Sequence, residues 1–191
     1  MNRVAIVSAA RTPIGRYGGG LKDVYEGDLA AKAICEAIAR AGIDPAEVDE
    51  VIMGHVLASG EAPNVARLGA LKAGLPIEVP AYTIDRQCSS GLQSVVNGAL
   101  LIQSGEADTV VAGGIESMSR AVHYTADARW GIRAGSFQMH DHFYRSVVMT
   151  SCPDVCGPID GMIGTAEKVA KEWGVTREDA DAFALESQRK A

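Results

Sequence analysis

Apolar residues in the first part of the chain follow two periods, one typical of strands and one typical of helices. Short runs of β-branched and small apolar residues predict strands that are buried in a parallel sheet. These runs lie at residues 4–8, 51–57, 82–84 and 109–112. Because segments of helical spacing separate the runs, the sequence predicts an α/β fold with a mainly parallel sheet and right-handed crossovers.

The helices are predicted from apolar stripes and from residues that commonly stand at helix ends. The longest stripe spans residues 28–41, and Gly42 follows it as a C-cap. Asp44-Pro45 predicts a short helical turn, because Asp caps helices and Pro suits the first helical position. The last helix is predicted to start at Thr176, where residues 176–179 have the spacing of a capping box. Further helices are predicted over residues 64–72, 88–104 and 165–173.

The periodic pattern stops after residue 119. Residues 120–160 mix aromatic residues, His, Met, Gly and Pro, which predicts a long connection of the kind that is usually functional or held by a partner. The amphipathic pattern of the last helix is still present at Ala191, with no Gly or Pro to end it. We therefore expect a longer chain or a second polypeptide to continue the structure, and we divide the chain at residue 119.

Composition and charge narrow the classes of function. The chain has 191 residues, of which 47% are hydrophobic, and a net charge of -6. The negative charge argues against nonspecific binding to nucleic acid or to an acidic membrane surface. No apolar run reaches the roughly 18 residues that a membrane helix needs, and the N-terminus lacks the pattern of a secretory signal. A cytoplasmic location is therefore expected.

The chain contains four cysteines, Cys35, Cys88, Cys152 and Cys156. Free thiols are expected, because disulfides are rare in the cytosol. Cys35 has a helical, apolar setting that predicts a core position. No His pair follows Cys152 and Cys156 at zinc-finger spacing, so no metal site is predicted.

Cys88 has the setting of a nucleophile. It lies where a predicted strand ends and a predicted helix begins, and the free N–H groups of a helix start favour a thiolate. The thiolate is the reactive form of cysteine. The small neighbours Ser89, Ser90 and Gly91 let a substrate carbonyl approach the sulfur. On this setting alone, inert packing of a buried cysteine remains the alternative.

The helix that follows Cys88 carries no charge. Residues 87–105 include no charged side chain, whereas a surface helix normally has a charged face. Its apolar stripe consists of Leu92, Val95, Val96, Ala99 and Leu100. We infer that a second layer, absent from this chain, packs on the helix. Central burial within this domain is the alternative.

Seven sequence blocks resemble those of the thiolases, enzymes that make or cleave 3-ketoacyl-CoA. The most specific are Arg-Gln-Cys-Ser-Ser-Gly-Leu-Gln at residues 86–93 and Gly-Gly-Ile-Glu-Ser-Met-Ser at residues 113–119. The others lie at residues 8–15, 54–57, 64–67, 165–167 and 181–184. A ketosynthase-like condensing enzyme also has a Cys at a helix start, but the block at 113–119 favours a thiolase.

The resemblance implies a thiolase-like βαβαβ half whose sheet is covered by helices. By the resemblance, residues 1–119 are expected to form the N-terminal α/β domain with the nucleophile, and residues 120–191 part of the loop domain. Cys88 is expected to take an acetyl group from acetyl-CoA as a thioester. A Claisen condensation with a second acetyl-CoA is then expected to give acetoacetyl-CoA, or the reverse to occur. The resemblance also implies fatty acid metabolism, no cofactor besides the coenzyme A thioester substrate, and a homo-oligomer.

In thiolases, the base and most oxyanion donors lie in Gly-His-Pro, Asn-Glu and Cys-x-Gly blocks of the C-terminal half. None of these blocks is present here, so His55, His123, His140 and His142 are expected to be structural or surface residues. The 191-residue chain alone is expected to be inactive. A C-terminal thiolase half, supplied as a separate partner, is one expectation.

The length of the acyl chain of the substrate remains open between short and longer chains. Met162 falls where short-chain thiolases place a Met against the acyl pocket, but Gly161 stands where a His is common and Asp85 where an Asn is usual. A short-chain synthetic thiolase is therefore the first hypothesis, and a degradative thiolase for longer chains is the second. A non-catalytic half-thiolase that acts as a scaffold is the third.

Overall fold

The computed structural model describes residues 3–157 and 161–191. The chain divides into two compact units, Met1–Val122 and His123–Ala191. The first unit contains α1 (Glu26–Ala41), β1 (Glu50–Gly54), α2 (Val65–Lys72), β2 (Ala81–Ile84), α3 (Ser90–Ser104) and β3 (Val110–Gly114). Short 3-10 turns lie at Pro45–Glu47 and Met118–Arg120. The second unit contains β4 (His123–Tyr124), β5 (His140–Asp141), α4 (His142–Thr150), α5 (Pro153–Cys156), α6 (Gly161–Trp173) and α7 (Arg177–Lys190).

The first unit is built on a parallel sheet in the order β2-β1-β3. In the central strand β1, Ile52 pairs with Tyr82 of β2 and Ala112 of β3. Val51 and Ile52 are both 0% exposed, although their side chains point to opposite faces of the sheet. The sheet is therefore covered on both sides, and the predicted α/β fold with a parallel sheet is confirmed.

Helices form the two outer layers of this unit. Val51 and Met53 pack into one core together with residues of α1 and α2, among them Ile34 and Val65. On the other face, α3 packs on β1 and β3. A Cβ added at Gly98 of α3 would stand 3.0 Å from Cγ1 of Val110. A small residue is therefore required where α3 crosses β3.

The predicted helix ends are confirmed where local hydrogen bonds decide them. Gly42 ends α1 with a φ of 69°, and its N–H donates to the Ile38 and Ala39 carbonyls. Asp44 and Glu47 form a capping box around the predicted turn. Thr176 and Asp179 form a second capping box at the start of α7.

The prediction of a buried strand at residues 4–8 is wrong. This segment has no regular secondary structure, and Ile6 and Val7 are 80% and 75% exposed. A β-branched run becomes a strand only where a neighbouring strand offers a ladder of hydrogen bonds. None of the described strands pairs with it.

The long connection predicted over residues 120–160 contains regular secondary structure in its described residues. Strands β4 and β5 pair antiparallel, with His123 opposite Asp141 and Tyr124 opposite His140. The helices α4 and α5 follow. The two strands and α5 are too short to leave a periodic signal. Residues 158–160, which the prediction included, lie outside the described residues. None of the helices in the described ranges is long and apolar enough to cross a membrane.

Candidate active site

The carboxyl ends of the three parallel strands meet the first turn of α3. A Cβ added at Gly54, the last residue of β1, would lie 2.6 Å from the Ser90 carbonyl oxygen, and closer still to two other backbone atoms of the turn. A Cβ added at Gly114, the last residue of β3, would lie 3.2 Å from Cα of Gly91. Glycine is required at these strand ends because backbone there lies against backbone.

Cys88 lies on the loop that joins β2 to this first turn. The prediction placed the helix start at Cys88, but α3 begins at Ser90, so the cysteine precedes the helix by two residues. The loop, which we call the cysteine loop, consists of residues 85–89. Cys88 is an exposed free thiol. Gln87, just before it, has a φ of 52°, which is uncommon for a residue other than glycine.

Two polar side chains determine the backbone of the cysteine loop. Asp85 Oδ1 accepts from the Gln87 N–H at 2.7 Å. The Ser90 hydroxyl accepts from the Arg86 N–H at 2.7 Å and donates to the Gln87 carbonyl at 2.6 Å. Ser90 is 3% exposed, so these bonds are shielded from water. They stabilise the positive φ of Gln87, which turns the chain immediately before the thiol.

The arrangement suits nucleophilic chemistry on a carbonyl. The Ser90 N–H donates to the Gln87 carbonyl at 2.9 Å. The N-cap Ser89 makes no side-chain cap hydrogen bond in the described chain, so no cap side chain occupies the following N–H groups of the first turn. Those groups favour negative charge, either on a thiolate or on the oxygen of an attacked carbonyl. An exposed thiol beside them is open to a thioester.

A contact between a buried histidine and a partly exposed carboxylate lies at the same edge of the sheet. His55, directly after β1, is 3% exposed, and its Nε2 lies 3.2 Å from Oε1 of Glu116. The angle of this contact does not meet the geometry of a hydrogen bond. Neither ring nitrogen of His55 therefore has a hydrogen-bond partner among the described residues. Glu116 also accepts from the N–H groups of Val56 at 3.0 Å and Leu57 at 3.1 Å.

The environment of Glu116 favours its charged form. Burial alone raises the pKa of this carboxyl, but His55 and the N–H groups of Val56 and Leu57 outweigh burial and lower the pKa below its ordinary value. Sequence reasoning expected His55 to be structural or on the surface and assigned no role to Glu116. The available signal is that His55 is one residue, and Glu116 two residues, after a glycine that ends a parallel strand.

The outward face of α3 differs from the face that packs on the sheet. The packed face consists of small buried residues, Ser90, Ser94 and Gly98. The large apolar residues point away, with Leu92 70% exposed and Leu100 56% exposed. The alternative that the apolar stripe is buried within this domain is therefore wrong.

The other predicted residues lie apart from the cysteine loop or in the second unit. Cys35 is on α1 as predicted, but it is exposed rather than core, and its Sγ donates to the Ala73 carbonyl at 3.4 Å. The buried face of α1 instead includes Ile34 and Ile38, which lie four residues apart. Met162 is 68% exposed on the first turn of α6.

Three of the four histidines lie in the second unit. His140 and His142 flank Tyr124, with ring centroids 5.6 Å and 5.9 Å from the tyrosine ring. Arg145 contacts His140 at 3.2 Å. His123 is exposed on β4. No group of three or more His, Cys, Asp or Glu residues capable of binding a metal occurs within residues 3–157 and 161–191.

Comparison with known proteins finds a matching family and similar proteins of known sequence. The family described as "Thiolase, N-terminal domain" matches residues 4–191. The acetyl-CoA acetyltransferase of Cupriavidus necator is 47% identical over 191 residues, which is all of this chain and 47% of that protein. A probable acetyl-CoA acyltransferase of Staphylococcus aureus is 43% identical over 191 residues, again 47% of that protein.

A solved structure resembles this chain in three dimensions. The crystal structure of the Bacillus anthracis acetyl-CoA acetyltransferase matches with a TM-score of 0.87 and 41% sequence identity. The match covers 94% of this chain and 44% of that chain. The chain thus spans about half the length of the curated relatives it matches.

Proposed function

This chain belongs to the thiolase family, and we propose that it supplies the nucleophile of an acyl-CoA C-acyltransferase, with Cys88 as the acyl carrier. The observation that carries the proposal is the exposed Cys88 thiol two residues before α3. It lies in the block that resembles the thiolase nucleophile block.

The proposed reaction has two covalent steps. In the first, the Cys88 thiolate attacks the thioester carbonyl of acetyl-CoA, the N–H groups of the α3 start stabilise the oxyanion, and coenzyme A leaves as a thiolate that takes up a proton. In the second, a base removes a proton from the methyl group of another acetyl-CoA. The resulting carbanion attacks the Cys88 thioester, which releases acetoacetyl-CoA and the Cys88 thiolate. The reverse sequence cleaves acetoacetyl-CoA.

The base and the donors for the enolate oxygen are proposed to come from a C-terminal thiolase half. The support is the outward face of α3, where Leu92, Val96 and Leu100 are exposed on a helix without any charge. An apolar face of this kind marks an interaction site. We propose that the C-terminal half covers it, as a continuation of this chain or as a separate polypeptide, and that the complete enzyme is a homo-oligomer.

The substrate proposal is a short acyl-CoA, with Met162 against the acyl pocket and no cofactor besides the coenzyme A thioester itself. A degradative thiolase for longer chains and a non-catalytic half-thiolase remain alternatives. Acyl-length profiling of the chain together with a C-terminal half separates the first two. A cytoplasmic location and a role in fatty acid metabolism stay predictions, which cell fractionation and metabolite profiling test.

The decisive experiment is transfer of an acetyl group to the isolated chain. After incubation with acetyl-CoA, intact-mass analysis and peptide mapping should find one acetyl group on Cys88. Cys88→Ser should remain unmodified, whereas Cys35→Ser should be acetylated like the parent chain. Acetylation of Cys35, Cys152 or Cys156 in preference to Cys88 would contradict the proposal. Steady turnover of acetoacetyl-CoA by the isolated chain would contradict the missing-half assignment.

A further inference from the structure

We propose that His55 and Glu116 are positioning residues for Cys88: the Glu116 carboxylate joins the ends of β1 and β3 and thereby fixes the segment to which both ends of the cysteine loop are attached. The inference rests on the proposed role of Cys88 as the nucleophile. It assigns a task to a buried histidine and its carboxylate neighbour, which the reaction above does not use.

The two ends of the cysteine loop meet the same two residues of the chain. At its beginning, the carbonyl of Ile84, the last residue of β2, accepts from the His55 N–H at 3.1 Å. At its end, Ser90 and Gly91 lie against Gly54 so closely that a Cβ there would overlap their backbone. The Gly54–His55 dipeptide is therefore the floor of the loop that carries Cys88.

Glu116 fixes this floor to the neighbouring strand. Its carboxylate accepts from the N–H groups of Val56 and Leu57, the two residues that follow the dipeptide. The Ile115 N–H also donates to the Gly54 carbonyl at 3.0 Å. The backbone pairing of β1 with β3 ends at Gly54, so the two bonds from Val56 and Leu57 to Glu116 extend the connection between these strands beyond the end of the sheet.

His55 determines where the carboxylate stands. Its Nε2 lies 3.2 Å from Oε1 of Glu116, and the imidazole is almost completely buried. A buried ring has few alternative orientations, so the contact restricts the rotamers of Glu116. The charged state of Glu116, favoured by the same contacts, makes the bonds to the two N–H groups stronger than bonds to a neutral acceptor.

The other end of the sheet provides a matched control. There the Asp49 carboxylate accepts from the Thr109 N–H at 2.9 Å and the Asp108 N–H at 2.8 Å. These bonds lower the pKa of Asp49, as those at Glu116 do. Asp49 thus joins β1 to β3 by the same chemistry, but it precedes β1, whereas the cysteine loop lies at the opposite ends of the strands. Asp49→Asn weakens an equivalent junction without touching the floor of the loop.

The experiment measures the rate at which iodoacetamide alkylates Cys88 in the 191-residue chain. Peptide mapping identifies the alkylated cysteine. Glu116→Ala should slow the reaction at pH 7 by about tenfold, because the loop that carries the thiol is no longer fixed to β1 and β3. The alkylation rate of Glu116→Gln, which keeps one acceptor oxygen, should lie between the rates of Glu116→Ala and the parent chain. His55→Ala should slow the reaction, and His55→Gln should restore much of the rate through its amide donor.

Several results would overturn the proposal. If folded Glu116→Ala reacts within about twofold of the parent chain, the pair is only structural. If it reacts faster, the carboxylate acts through its charge alone. If Asp49→Asn slows the reaction equally, general loosening of the sheet explains the effect. Circular dichroism establishes folding, and should Glu116→Ala fail to fold, the difference between His55→Ala and His55→Gln decides.

This test separates the inference from the proposed function. Alkylation needs neither acetyl-CoA nor a C-terminal half, so it reports on the thiol alone. If acetyl-CoA fails to acetylate the parent chain but the Glu116 and His55 variants still alter alkylation, the proposed function is wrong and the positioning stands. If acetylation occurs and the variants alkylate like the parent chain, the positioning is wrong and the function stands.

Discussion

Substitution of Gly54 tests whether close packing of the α3 start against β1 builds the site. In Gly54→Ala, the added methyl group would enter the space of three backbone atoms of Ser90 and Gly91, one of them the Ser90 oxygen at 2.6 Å. Real Cβ atoms essentially never come within 3.0 Å of another heavy atom in this way. Backbone atoms have no rotamer by which to move aside, so either β1 or the first turn of α3 must shift.

The magnitude follows from overpacking and chain entropy. Overpacking of a core costs about 1–3 kcal/mol, and contact with backbone belongs at the upper end. The lower entropy of an unfolded chain with Ala returns about 0.4–1 kcal/mol. We therefore expect the free energy of unfolding to fall by about 2–3 kcal/mol. For a chain of this size, that corresponds to a melting temperature lower by about 4–12 °C.

The assay is thermal and urea unfolding followed by circular dichroism, in a series graded by the available space. Gly114→Ala, with 3.2 Å to Cα of Gly91, should lose less stability than Gly54→Ala. Gly60→Ala, with no heavy atom within 4 Å, should stay within about 0.5 kcal/mol of the parent chain. Equal stability of Gly54→Ala and Gly60→Ala would refute the close approach of α3 to β1.

Three further outcomes are expected from the same structure. Ser90→Ala leaves the Arg86 N–H without its buried acceptor and should cost about 1–3 kcal/mol in urea unfolding; no loss would mean that water replaces the hydroxyl. The lowered pKa of Asp49 stabilises the folded chain above the unfolded value of 3.8, and this stability disappears as the pH falls through the folded pKa. Asp49→Asn should therefore flatten the loss of stability between about pH 5 and pH 2, and an unchanged acid transition would contradict this. Leu92→Ser on the outward face of α3 should change the stability of the isolated chain by less than about 0.5 kcal/mol, whereas Ser94→Leu on the packed face should cost about 1–3 kcal/mol; the reverse order would invert the assigned faces.

The sequence predicts those parts of the fold that are decided by neighbouring residues. Strand β1 is apolar on both faces because helices cover both, and its run of Val, Ile and Met is readable without a partner. The ends of α1 and α7 depend on Gly42 and on the Thr176 capping box, which are local hydrogen-bond patterns. The strand at residues 4–8 fails, because its formation depends on a neighbour distant in the sequence.

The candidate site was predictable only in part, for the same reason. The residue types around Cys88 indicate a nucleophile, but the start of α3 lies two residues later because the hydrogen bonds of Asp85 and Ser90 turn the chain before the helix begins. The contact between His55 and Glu116 joins residues that are far apart in the sequence. Neither residue type predicts such a pair, and only the sheet order places the two together.

The two faces of α3 connect the packing of this unit to the proposed site. A helix in which Ser90, Ser94 and Gly98 face its own sheet gains little from apolar burial there, so the close approach must be stabilised by hydrogen bonds such as that from Ser94 to the Gly113 carbonyl at 2.6 Å. The apolar area of the helix lies on the opposite face, around Leu92. Leu92 lies in the first turn of α3, and the cysteine loop leads directly into that turn, so a layer that covers Leu92 lies near the cysteine loop. Under the proposed function, the C-terminal half that covers the outward face of α3 is therefore expected to supply the remaining catalytic groups as well.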